Sequence, residues 1–162
     1  MITGKEAERL FASLHTDVVW ATKDQDMFEH WDLSSGGVKY DIKTQKRIER
    51  HDREISEVLW IELQNVRGNI GWIKGKADKI AFLLNDNFII VDREKLFDWI
   101  KENITNLEVQ SIKEHKRWYQ RRGRKDIITF LYVSDIQHLI EKYVPLAQQV
   151  EQNTHNVKVV GS

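Results

Sequence analysis

The chain has 162 residues, of which 41% are apolar and 31% charged, which fits one domain able to bury a core. Basic and acidic residues number 25 each, so the net charge is zero and any attraction to a polyanion has to come from a local patch. Cysteine is absent, which excludes disulfides, thiolate zinc sites and a cysteine nucleophile, and no apolar run approaches the roughly 18 residues of a membrane span.

Thr3 and Glu6 form a capping-box pattern, and Ala7, Leu10, Phe11 and Leu14 follow at helical spacing, predicting a first amphipathic helix that ends near His15. The polar N-terminus reads as this helix start rather than a signal peptide, so a soluble, cytoplasmic protein with no membrane partner is expected. Val18-Val19-Trp20-Ala21 predicts a strand, and the acidic stretch 22–29 a loop or one helical turn. His30-Trp31-Asp32-Leu33 and Val38-Lys39-Tyr40-Asp41-Ile42-Lys43 alternate on either side of Ser34-Ser35-Gly36-Gly37, a hairpin signal. A loop of Ser35-Gly36, or of all four residues, pairs Leu33 with Val38 and Asp32 with Lys39.

Residues 47–57 are densely charged and aperiodic, predicting a solvated loop, and 60–66 alternate as a strand. Two more strands are expected at 77–84 and 88–91, then a helix capped by Asp92 with Leu96, Phe97, Ile100 and Ile104 on its apolar side. Residues 127–133 read as a strand, and Asp135 as the cap of a short helix carrying Ile136, Leu139, Ile140 and Tyr143 and stopping before Pro145. With no repeat and one proline near the end, the expectation is a single domain over 1–147 and a flexible tail over 148–162.

The predicted register makes Asp41 a same-face diagonal neighbour of Asp32, roughly 7 Å away, with Lys43 on that face too. Two carboxylates so close disfavour each other's ionisation, and a hard divalent cation between them removes the conflict. Phosphodiester hydrolysis needs such an ion to polarise the phosphate and acidify a water, plus a group that orients the water or neutralises developing charge, a task suited to Lys43.

Asp32, eight intervening residues and then Asp41-Ile42-Lys43 resemble the PD-(D/E)XK pattern of restriction enzymes and junction resolvases, with Trp31 where the pattern has proline. The resemblance covers roughly residues 1–100, and the run from Trp60 to Asp78 is similar to phage-type members. It implies an α/β, restriction-endonuclease-like αβββαβ core, with a mixed central sheet flanked by helices. It further implies Asp32, Asp41 and the Ile42 carbonyl as ligands of Mg²⁺, with Mn²⁺ as a substitute, and Lys43 as the residue that assists the attacking water. Glu8 in the first helix and Gln64 in the strand match accessory catalytic positions loosely. The implied activity is a metal-dependent DNA endonuclease, homing or resolvase-like, acting on double-stranded DNA as a homodimer or larger homo-oligomer. The host cytoplasm is its expected place if the chain is phage-encoded. A structured-RNA nuclease and a catalytically inactive nucleic-acid-binding protein are the alternatives, and a solvated charged hairpin is the plainest account of Asp-x-Lys.

The segment 113–125 holds seven basic residues against Glu114 alone. Lys116, Arg117, Arg121, Arg122, Arg124 and Lys125 are the expected phosphate contacts, in a loop or ribbon arm where Trp118, Tyr119 and Gln120 stack on or pack against nucleic acid. Glu62 shares a predicted strand face with Gln64, Asp78 is expected to bind backbone groups, and His30 lies beside the site. The six histidines show no close metal-ligand pairing, and the glycines at 68, 71 and 75 lack phosphate-loop spacing.

Overall fold

The computed structural model of the chain describes residues 2–44, 57–106 and 108–146. Of the expected charged loop at 47–57 only Glu57 falls within them, and the expected tail lies outside them.

Helix α1 (Gly4–Ser13) starts as its capping box predicts, with the Glu6 amide donating to Thr3 Oγ1 at 3.2 Å. Ala7 and Phe11 are fully buried on its inner side. Strand β1 (Val18–Trp20) follows, then a π-helical turn (Gln25–Glu29) that realises the helical option for the acidic stretch. Thr22 and Gln25 tie the start of this turn by exchanging side chain to amide hydrogen bonds.

Strands β2 (Leu33–Ser35) and β3 (Val38–Thr44) form the expected hairpin in a different register. Gly36 and Gly37 both have positive φ, 57° and 82°, so the two glycines alone make the turn. Leu33 therefore pairs with Tyr40, Ser34 with Lys39 and Ser35 with Val38, which corrects the predicted pairings of Leu33 with Val38 and Asp32 with Lys39. A slide of two residues keeps every side chain on its predicted face. It also sets Asp32 against Tyr40, its amide donating to the Tyr40 carbonyl, next to Asp41.

The central sheet is six-stranded and mixed, in the order β1-β2-β3-β5-β6-β8, with β5 (Lys79–Leu84), β6 (Asn87–Asp92) and β8 (Ile140–Pro145) completing it. The β3–β5 pair is parallel and all other neighbours are antiparallel. Parallel neighbours need a long crossover, and this one carries β4 (Val58–Gln64) and a 3-10 turn (Trp72–Lys74). The strand expected at 60–66 is β4, and it pairs with β7 (Ile127–Tyr132) in a separate two-stranded sheet. The helix expected from Asp135 is a 3-10 segment (Val133–Leu139) only, and Ile140 and Tyr143 belong to β8. There β6 offers a free edge, and pairing it satisfies a row of backbone groups that a helix would leave open.

Alternation along β5 and β6 divides the core in two. Ala81, Leu83, Phe88 and Ile90 face α1 with Leu33 and Ile42. Ile80, Phe82, Ile89 and Val91 pack against Leu96 and Ile100 of α2 (Arg93–Asn103) and against Leu59, Ile61 and Leu131 of the small sheet. Each fully buried aliphatic side chain of this kind contributes about 1.5–3 kcal/mol. The result is a mixed α/β architecture with a helix on each face of the central sheet. No helix among the described residues is long and apolar enough to cross a membrane.

Asp78 acts on backbone groups as expected, its carboxylate accepting the Lys39 amide at 2.9 Å and so bracing the β3–β5 start. Gly71 lies against β4, donating to the Leu63 carbonyl at 2.9 Å, and an added methyl group would overlap the Glu62 carbonyl. Gly71→Ala is expected to cost about 1–3 kcal/mol through forced displacement of β4. Urea unfolding checks this as a lower midpoint at unchanged slope; an unchanged midpoint would show that the close approach is dispensable.

Candidate active site

Asp32 sits at the entry to β2, held on two sides by backbone. Its amide donates to the Tyr40 carbonyl at 2.8 Å, its carbonyl accepts from Ala21 at 2.9 Å, and its Oδ2 accepts from the Ile42 amide at 2.7 Å. Asp41, on β3, is 3% exposed. Its Oδ1 lies 3.2 Å from Lys43 Nζ, and its Oδ2 is enclosed with no hydrogen-bond partner. Two residues apart on one strand, Asp41 and Lys43 share the sheet face opposite α1, and Lys43 also lies over the Trp72 ring, 4.9 Å from its centre.

Glu8 of α1 completes the cluster. Burial pushes its carboxyl up to about 7, and Asp32 and Asp26 push the same way. Asp32 is raised to about 8 by burial and by the Asp41 charge, against the pull of the Ile42 amide and Lys43. Asp41 is raised by burial too, with Lys43 opposing. Neighbouring carboxyls in a low-dielectric setting share protons rather than all ionise. The contact between the two side chains raises Asp32 and lowers Asp41, which favours the shared proton on Asp32. Burial and the Lys43 charge lower the His30 pKa, which keeps its imidazole neutral at pH 7. His30 has a left-handed backbone (φ 58°), and Gly75 packs so tightly beneath it that an added methyl would come within 2.7 Å of its Cβ.

Two clefts meet this centre. One of about 480 Å³ reaches it from Asp32, Glu8 and Asp26. The other, about 470 Å³, reaches it from Lys43, Ile42 and His30 and runs between the two sheets to Glu62, Tyr119 and Arg121.

The fold thus brings together Glu8, Asp32, Asp41 and Lys43. The Ile42 side chain packs toward α1, while its amide fixes Asp32. Gln64 is turned to another use, donating through Nε2 to the Lys125 carbonyl at 2.6 Å. The β4–β7 register shifts between Glu62 and Gln64, and this irregularity separates two residues that unbroken alternation would place together. Glu62 is the one that lines the cleft. Asp26 and Glu62 were the members least visible in the sequence, since neither belongs to a spaced motif.

The basic segment is a loop held by isolated bridges to its neighbours, with Gln110 opposite Tyr119, His115 opposite Phe130 and Tyr119 opposite Ile128. Trp118 and Tyr119 are buried, 8% and 5% exposed, which corrects the expectation that they stack on nucleic acid. Arg121 lines the cleft and holds buried Asp126, with Nε and Nη2 at 2.7 and 2.6 Å from Oδ2. Arg117 pairs with Glu114 at 3.7 Å, Lys116 is half-buried, and Arg122, Arg124 and Lys125 are exposed around the turn.

No family model, no curated protein and no solved structure matches the chain. Among the described residues, no three His, Asp or Glu side chains are arranged so that together they could hold a metal ion. The donor set still fits a hard cation: the unpartnered Asp41 Oδ2 lacks a positive partner, and carboxylate oxygens are the ligands magnesium prefers.

Carboxyls whose pKa is raised on folding bind more protons folded than unfolded. The stability they lend is complete below their unfolded values and is lost as pH rises through the folded ones. In metal-free protein the melting temperature is therefore expected to fall between about pH 5 and pH 8, and to fall less in Asp32→Asn. Calorimetric scans across that range test this, and identical slopes for the two proteins would contradict a shared-proton cluster.

Proposed function

We propose that the chain is a divalent-metal-dependent DNA endonuclease whose centre is Asp32, Asp41 and Lys43, on a restriction-endonuclease-like core. The observation that carries this reading is the enclosed Asp32–Asp41 pair with Lys43 on Asp41 Oδ1 and with Asp41 Oδ2 left unpartnered. The order α1, β1, β2, β3, with both acids entering from the β2–β3 hairpin, supports the resemblance seen in the sequence.

Asp32 and Asp41 would hold Mg²⁺, or Mn²⁺ in its place. The bound ion supplies a polarised phosphate and a water acidic enough to attack at neutral pH. The Ile42 amide keeps the Asp32 carboxylate aimed, and the strand spacing of two keeps Lys43 beside Asp41. From there the Lys43 ammonium orients the attacking water and offsets charge that builds on the phosphoryl oxygens. Glu8 and the neutral His30 are the nearby groups able to accept the proton that the water gives up. As the water oxygen bonds to phosphorus, one P–O ester bond breaks, and its oxygen leaves with a proton from solvent. Arg122, Arg124 and Lys125, exposed in the turn beside the cleft-lining Arg121, would contact flanking phosphates.

Lys43→Met keeps the packed stem over Trp72 and removes the charge. It is expected to lower metal-dependent DNA cleavage by about 10²–10³-fold with DNA binding intact. Asp41→Asn is expected to abolish cleavage. A gel assay with magnesium or chelator measures both, and full activity in Lys43→Met would remove Lys43 from the mechanism. Arg122→Ala with Arg124→Ala is expected to weaken binding and flatten its dependence on salt by roughly one phosphate contact per charge removed; an unchanged salt slope would exclude that turn from the interface.

A further inference from the structure

We infer that the DNA strand crossing this centre is unpaired, and that Trp20 stacks on one of its bases. The inference rests on the nuclease reading and deepens it by naming the form of the substrate.

The cleft that reaches Asp32 and Glu8 is walled by Trp20 and by the cations Lys5, Arg9 and Lys23. Trp20 lies on β1, at the edge of the central sheet, and is 49% exposed. A large apolar ring left in water beside charged groups has no part in the core. It does have the face on which a nucleobase stacks, an interaction that works for any base and combines with cations that follow the phosphates. A duplex hides the faces of its bases and offers a protein only groove edges and phosphates. An indole in this position therefore gains nothing from paired DNA and much from an unpaired strand.

Cleft size points the same way. At about 480 and 470 Å³, both clefts fall in the range that encloses a small organic ligand, which suits one or two nucleotides rather than a helix. The two clefts share no lining residue: Glu8, Asp26 and Asp32 line one, and Lys43 and Glu62 line the other. A single strand laid in the cleft at Asp32 passes a phosphate beside Asp32 and Glu8, with the Trp20 ring and the cations Lys5, Arg9 and Lys23 along its path. The zero net charge agrees with this arrangement, because stacking supplies affinity that a neutral protein cannot draw from long-range attraction to phosphate.

The test uses the full chain and one DNA sequence in three forms: fully paired, single-stranded, and paired with a single-stranded flap, each with magnesium or manganese. The single strand or the flap is expected to be cut at least about tenfold faster than the duplex. Trp20→Ala is expected to raise KM for those substrates by about tenfold or more at unchanged melting temperature, with partial rescue by Trp20→Phe. Equal cutting of duplex and single strand, or an unchanged KM in Trp20→Ala, would overturn the inference while leaving the nuclease reading in place. Binding to the cleavage-deficient Asp41→Asn protein separates the two readings further. A single strand carrying 2-aminopurine should lose fluorescence on binding, and keep it with the Asp41→Asn, Trp20→Ala double variant. Quenching that depends on Trp20, without cutting of any substrate by wild type, would support the strand and reject the nuclease. No quenching by the Asp41→Asn protein would reject the strand.

Discussion

A carboxylate taken out of water needs a positive partner, and the candidate site is organised around that need at Asp41. Its side chain is almost fully buried on β3, where the low dielectric magnifies every nearby charge. Lys43 answers one oxygen, and no cation or N–H group answers Oδ2. Breaking such a buried pair is far more costly than never having built it, so an arrangement with one oxygen still unmet is better explained by a task than by stability. The Glu8 and Asp32 carboxyls hold protons well above the ordinary carboxylate range, with Asp41 raised as well, and a divalent ion would displace those protons and relieve the crowding in one step.

The fold serves this centre by setting geometry through backbone rather than through loops. The two-glycine turn fixes the β2–β3 register, the Ile42 amide fixes the Asp32 carboxylate, and the parallel β3–β5 pair places Lys43 level with Phe82, above the core. Because β3 and β5 run parallel, the chain has to cross over between them, and the crossover brings Trp72 under Lys43 and Gly75 under His30. The cleft between the two sheets is a direct product of that crossover.

Much of this was legible in the sequence because it depends on local pattern. The capped helices, the strands and the Asp-x-Lys spacing each follow from a period or a cap that a short window contains, and Asp78 was readable as a polar residue interrupting an apolar strand. What was not legible depends on partners distant in the chain. Ser35-Gly36 and Gly36-Gly37 are both acceptable two-residue turns, and only the pairing of β2 with β1 and β3 decides between them. The irregularity at Glu62 and Gln64 arises against β7, some sixty residues away, so alternation alone put both on one face although only Glu62 lines the cleft. Ile140 to Pro145 carries apolar spacing that suits a helix as well as a strand, and the free edge of β6 settles it. Trp118 and Tyr119 sit in a run of cations with no period of their own, so their burial against β7 had no local signature.

Calorimetric titration of the protein with Mg²⁺ at neutral pH, repeated in buffers of different ionisation enthalpy, addresses the central claim without depending on any choice of substrate. Displacement of shared protons by the ion predicts binding accompanied by proton release, with both lost in Asp32→Asn and in Asp41→Asn. Binding with no proton release, or binding that survives both substitutions, would place the ion elsewhere and contradict the account of the Asp32–Asp41 pair as its site.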